Sequence, residues 1–109
     1  METNKLKVKF FSRTCIACPS QWEGALEDGR FLYIRYRADK FKAFISPNER
    51  EWLEDGDKYK IYEIDTKQGG HDGYMPDDIM KWFLHFQLDF SKIEGPYEPT
   101  DLYNDDAII

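Results

Sequence analysis

The chain is short of the residues from which most active sites are built. It has two cysteines and two histidines in 109 residues. Cys15 and Cys18 sit too close together to form the disulfide framework of a small secreted domain. No apolar stretch approaches the roughly 18 residues that cross a membrane, and residues 1–9 are too charged for a secretory signal. These absences predict a cytoplasmic chain with no membrane segment. The histidines, His71 and His85, are far apart, and neither a close His pair nor a second Cys pair is present to complete a zinc site. Gly69-Gly70-His71-Asp72-Gly73 lacks the Lys-Ser/Thr of a phosphate loop and the alternating oxygens of a calcium loop. The acids are spread along the chain with no privileged pair, so spacing singles out no catalytic residue, no metal ligand and no cofactor.

Aromatic residues, by contrast, make up 17% of the chain, which argues for a packed core over most of its length. Charge is unevenly placed. Residues 1–47 hold nine Lys/Arg against five Asp/Glu, whereas residues 89–109 hold one against six. A basic first half and an acidic end attract each other within one molecule or between two.

The apolar pattern predicts an α+β fold: an antiparallel β-meander of four to five strands with one C-terminal helix packed on one face. Residues 5–11 alternate as a half-buried strand, and 12–20 form a loop carrying the cysteines. Strands follow over 21–26, 31–37 and 40–46, with a further one over 59–66. Asp28-Gly29 reads as a two-residue hairpin turn, and Ala38-Asp39 as a second. The polar stretch 48–58 has room for a short helical turn. Pro76 opens a helix reaching Phe90, with acids at its positive end. Residues 1–90 then form one domain, and 91–109 an acidic, extended or disordered tail.

These turns set a register, and one residue of slip would exchange the two faces of a strand. Leu32, Ile34, Tyr36, Phe41, Ala43 and Ile45 fall on one face, the core. Trp22, Phe31, Tyr33 and Phe44 fall on the other, beside Arg35, Arg37, Lys40 and Lys42. Gly24 is placed opposite Tyr33, and Arg35 beside Trp22 as a cation–π pair. Rings stack on bases for about 1–3 kcal/mol each, and guanidinium groups hold phosphates. Trp22, Tyr33, Arg35, Arg37, Lys42 and Phe44 are therefore the predicted binding residues. The expected partner is a protein or a nucleotide-like or phosphorylated ligand, and the acidic tail is a rival occupant of the same face in cis or in trans. An alternative reading gives Cys15 and Cys18 a thiol–disulfide role, as in glutaredoxin-like proteins, provided that a helix follows the pair.

Cys18-Pro19-Ser20-Gln21-Trp22-Glu23-Gly24, Asp28-Gly29-Arg30 and Leu32-Tyr33-Ile34-Arg35-Tyr36-Arg37 resemble the core of a group of short bacterial and phage proteins with no assigned activity. Asp72-Gly73-Tyr74-Met75 is also similar. The likeness is good over residues 18–37 and poor elsewhere. It implies a compact unit and a phage or prokaryotic setting, in which a small protein sequesters or blocks a host component.

Overall fold

The computed structural model describes residues 5–17, 19–67 and 74–97. Its centre is a six-stranded sheet: β1 (Leu6–Cys15), β2 (Ser20–Leu26), β3 (Phe31–Arg37), β4 (Lys40–Ser46), β5 (Lys60–Asp65) and β6 (Leu88–Asp89). The spatial order is β5-β4-β3-β2-β1-β6. The first five strands form the expected antiparallel meander, and β6 adds to the free edge of β1 in parallel. Two helices complete the fold: α1 (Glu49–Asp55), followed by a 3₁₀ turn (Gly56–Tyr59), and α2 (Asp77–Leu84).

The fold class holds in outline, with four corrections of detail. The sheet has six strands rather than four or five. The helix expected over 76–90 stops at Leu84, and the chain then turns into β6, so the helix does not end the fold. Trp82 and Phe86, whose apolar character and helical spacing with Ile79 and Phe83 predict burial, are 64% and 78% exposed. Strand β1 also continues to Cys15, through residues expected to be loop.

The most consequential difference is in the β2–β3 hairpin. The amide of Gly29 donates to the carbonyl of Leu26, and the amide of Leu26 donates to the carbonyl of Arg30, both at 2.9 Å. The connection is thus the three-residue loop Glu27-Asp28-Gly29, with only Gly29 in the left-handed region at φ 93°. A type I turn closed by a left-handed glycine is the usual form of that loop. It moves the register by one residue, so that Trp22 pairs with Ile34, Glu23 with Tyr33 and Gly24 with Leu32. Trp22 accordingly points into the core and is fully buried.

The β3–β4 hairpin has the predicted register, with Arg37 opposite Lys40. Ala38 and Asp39 both take positive φ, 54° and 67°, as a two-residue type I′ turn requires. An alanine there carries a left-handed penalty of about 1 kcal/mol. Asparagine tolerates that region better, so Ala38→Asn is expected to raise unfolding free energy by about 0.5–1 kcal/mol. Urea denaturation checks this, and an unchanged or lower midpoint would contradict it.

One face of the sheet carries the main core. Val8, Trp22, Leu32, Ile34, Phe41 and Ala43 pack there under Met80 and Leu84 of α2, and Phe83 lies with its ring 5.0 Å from that of Phe41. Residues 91–97, expected as the start of a tail, run along β1: Glu94 donates its amide to the Lys9 carbonyl at 2.7 Å, and Phe11 to that of Gly95 at 3.1 Å. The rest of the expected tail, 98–109, lies outside the described residues. No helix among the described residues is long and apolar enough to cross a membrane.

Candidate functional site

Opposite the main core, the outer face of the sheet divides into two halves. In one half Phe31, Tyr33 and Phe44 form a second, smaller apolar cluster. Helix α1 covers it. Asn48 caps the helix by accepting from the Glu51 amide at 2.9 Å, and Trp52 then lands on the rings. Its ring centroid is 4.1 Å from that of Tyr33, with Phe31 at 5.9 Å and Phe44 at 6.0 Å. Tyr97 closes the other side, 5.8 Å from Phe31, and its hydroxyl donates to Glu49 Oε1 at 3.0 Å. As a result Tyr33 and Phe44, predicted as binding rings, are only 7% and 5% exposed.

The other half is basic and, among the described residues, open. Arg35 stands directly opposite Lys42, and Arg37 opposite Lys40. Directly opposed residues bring their Cβ atoms within about 5 Å, where like charges destabilise a sheet. Within the sheet, β5 supplies counter-charge: Glu63 pairs with Lys42 and Asp65 with Lys40 in the register, with Lys40 Nζ 4.0 Å from Asp65 Oδ2. Glu63 also accepts a short hydrogen bond from Lys60, which, with the cations of Lys42 and Lys40, holds its carboxyl below the usual range. On the β2 side Arg35 faces Gln21, a neutral residue. Among the described residues no carboxylate comes within 4 Å of Arg35, Arg37 or Lys42.

A cavity of about 540 Å³ lies where the two halves meet. Its floor is Tyr33, Arg35, Lys42 and Phe44, and its wall is residues 52–57. A second hollow of about 180 Å³ continues along Arg35, Arg37, Lys40 and Lys42. Beside them, burial pushes the Tyr33 hydroxyl above its ordinary value, although the Arg35 cation pulls it back. It therefore stays protonated and donates to Gln21 Oε1 at 2.8 Å. Burial and the nearby Glu49 raise Glu23, against hydrogen bonds from Thr14 and Gln21.

Of the six predicted binding residues, the structure brings Tyr33, Arg35, Lys42 and Phe44 to one cavity and Arg37 to its extension. It removes Trp22. The cation stacked on Trp22 is not Arg35 but Arg13, with its guanidinium carbon 4.8 Å from the ring centre. Gly24 does not underlie Tyr33; its neighbours are Leu32 and Phe11. The short helical turn allowed over 48–58 is present as α1, with Asn48 and Glu51 in a helix-start pattern, but sequence reasoning gave it no part in the site.

The cysteine reading gains no support from local geometry. Cys15 ends β1 with its thiol 3.7 Å from the Ala17 carbonyl, and Cys18 lies outside the described residues. The next element is β2, from Ser20, so no helix N-terminus is available to stabilise a thiolate. His85 contacts the Trp82 carbonyl through Nδ1 at 2.6 Å, and its ring stacks on Phe86 at 4.0 Å. Among the described residues no three His, Cys, Asp or Glu side chains are grouped to hold a metal ion. Neither a model of a known protein family, nor a curated protein, nor a solved structure significantly matches this chain.

Proposed function

We propose that the protein is a binding module without catalytic chemistry, and that its ligand presents a phosphate or carboxylate group to Arg35 and Lys42. One observation carries this reading: two cations face each other across β3 and β4, on the floor of a cavity, and among the described residues no carboxylate is in ion-pair range of Arg35 or Lys42. A fold selected for stability alone would not retain that pair, because like charges in direct opposition cost about 0.2–1 kcal/mol. An anion between them turns the repulsion into two charge-assisted hydrogen bonds. Among the described residues, those lining the cavity include no Ser, Thr, Cys or His that would serve as nucleophile or base.

The covering of the ring cluster narrows the ligand. Tyr33 and Phe44 lie beneath Trp52, so a series of stacked bases finds little free ring surface. A nucleotide-like or otherwise phosphorylated small molecule fits better than single-stranded nucleic acid. In the prokaryotic setting that the sequence resemblance implies, such a module would sequester its ligand.

The test is titration of the full chain with adenosine monophosphate, inorganic phosphate and a short oligonucleotide, followed by NMR shifts. Hydrogen bonds to charged groups contribute about 1.5–3 kcal/mol, so Arg35→Gln or Lys42→Gln is expected to weaken phosphate-bearing ligands at least about tenfold. Arg35→Gln, which relieves Lys42 and loses no cross-strand carboxylate, is expected to be more stable than the parent by about 0.2–1 kcal/mol, which separates lost binding from lost folding. Absence of shifts with all three probes at millimolar concentration would overturn the reading.

A further inference from the structure

The cavity beside Arg35 and Lys42 has two walls of opposite sign. The sheet contributes the two cations, and the segment that ends α1 contributes Glu54, Asp55 and Asp57. Oppositely charged groups around one hollow would normally close on each other. Here no ion pair within 4 Å joins the walls, and the gap between them is the cavity itself.

The packing shows what holds the walls apart. Trp52 is wedged between them, its ring against Tyr33 at 4.1 Å and its other edge against the backbone of Gly56. A Cβ on Gly56 would lie 2.7 Å from Trp52 Nε1, closer than atoms can pack, so only glycine lets the acidic segment settle on the indole. Gly56 itself has ordinary helical φ of −64°, which leaves that close approach as its distinguishing requirement. The indole thus acts as a spacer that fixes the acidic wall at a set height above the sheet.

Each wall is also electrostatically unfavourable by itself. Arg35 and Lys42 repel each other. Helix α1 ends with Glu54 and Asp55 and has no basic residue in its last turn, although the C-terminal end of a helix favours cations. A single anion would relieve the sheet side and be repelled by the helix side. A molecule with a negative and a positive end relieves both.

We infer that the cavity binds a small zwitterion, its phosphate or carboxylate end on Arg35 and Lys42 and its ammonium end on the carboxylates of Glu54, Asp55 and Asp57. The stem between the charged ends crosses Phe44, Trp52 and Leu53, which complete the lining. The volume, about 540 Å³, falls in the range of small-molecule sites, about 300–1,000 Å³. The inference rests on the anion-binding reading above and adds the second pole.

The experiment compares phosphoethanolamine with inorganic phosphate, titrated into the full chain and into Asp55→Asn/Asp57→Asn. The parent is expected to bind phosphoethanolamine about tenfold more tightly than phosphate, as one added charge-assisted contact would give. The double variant is expected to lose that preference from both directions: phosphoethanolamine weakens, and phosphate tightens as repulsion is removed. Both substituted residues are exposed, and an unchanged urea midpoint shows that folding is intact. Vesicles containing phosphatidylethanolamine form a third arm. Sedimentation with them, sensitive to the same double variant, identifies a lipid headgroup as the source of the zwitterion; its absence identifies a free molecule. Equal affinity of the parent for the two soluble probes would overturn the zwitterion and leave the anion site standing. Absence of binding by either would overturn both.

Discussion

Gly24→Ala is expected to destabilise the protein by about 3 kcal/mol, one of the largest effects of any single methyl group in the chain. The reason is the approach of β1. A Cβ at Gly24 would lie 2.5 Å from the Phe10 carbonyl oxygen and 2.9 Å from Phe11 Cδ1. The first of these is backbone and cannot swing away as a flexible side chain would. The register between β1 and β2 shifts between Val8 and Phe10, and such an irregularity bends the strand and increases its local twist. Adding the methyl group forces β1 outward, and with it Phe11, whose ring packs edge-on against Phe90 at 5.2 Å. For a domain of this size the loss corresponds to a fall in melting temperature of roughly 15 °C. Two other glycines act as controls with different physics. Gly29 has open space around it but φ of 93°, so alanine there costs about 1 kcal/mol through the backbone alone. Gly95 has neither constraint, and alanine there should be neutral. If all three variants melted together, the close approach at Gly24 would be refuted.

The same region shows where the sequence was legible and where it was not. The meander could be read because alternation and turn residues are local signals, and the β3–β4 register followed from one two-residue turn. The β2–β3 register failed on a single question, whether Asp28-Gly29 is the whole turn or the end of a three-residue loop. Both forms place glycine in a left-handed conformation, and composition does not separate them. Because side chains alternate with period two, that one residue carried Trp22 from the proposed ligand face into the core. The cations Arg35, Arg37 and Lys42 were placed correctly because their register depends only on the other hairpin. Tyr33 and Phe44 were placed on the correct face, but whether that face is covered does not follow from strand register. Their covers, Trp52 and Tyr97, meet Tyr33 and Phe31 from a short helix and a terminal segment whose local sequence says nothing of where they dock. The unbroken apolar run Phe31-Leu32-Tyr33-Ile34, all four of which are buried, was the available sign that β3 is covered on both sides. Helix α2 was overextended because Phe86 and Phe90 fit its spacing, yet the helical face at Trp82 and Phe86 is exposed and gives the final turn little burial to hold it.

Arg13→Ala is expected to cost about 3 kcal/mol, comparable to the loss at Gly24 and for an unrelated reason. Sequence reasoning left Arg13 in a loop. In the structure it ends the core-facing side of β1, where its guanidinium stacks on Trp22 and also lies 5.1 Å from the ring centre of Tyr74. Its Nη2 donates to the carbonyls of Ile16 and Met75 at 2.9 and 2.8 Å, and reaches Ser20 Oγ at 3.1 Å. Its Nη1 donates to Asp77 Oδ1 at 2.7 Å, an oxygen that also accepts from Trp22 Nε1 at 2.8 Å. One side chain therefore ties the end of β1, the turn before β2 and the first residue of α2 together. Arg13→Lys keeps the charge but offers no planar fork, and should recover less than half of the loss. The pH dependence follows from Asp77. Burial alone would raise its carboxyl, but the hydrogen bonds from Trp22 and Arg13 outweigh burial, and the folded value lies below the ordinary 3.8. A depressed acid stabilises the folded state at pH above its unfolded value, and that contribution is lost as pH falls through the folded value. Asp77→Asn should thus lower stability near neutral pH and flatten the acid limb, as urea denaturation at about pH 7 and about pH 3 would show. Since this cluster is on the face opposite Arg35 and Lys42, phosphate affinity should stay within about twofold in any Arg13 variant that remains folded, being set by the ligand's own contacts. An unaltered acid limb in Asp77→Asn would show that the Arg13–Asp77–Trp22 cluster does not hold α2 to the sheet.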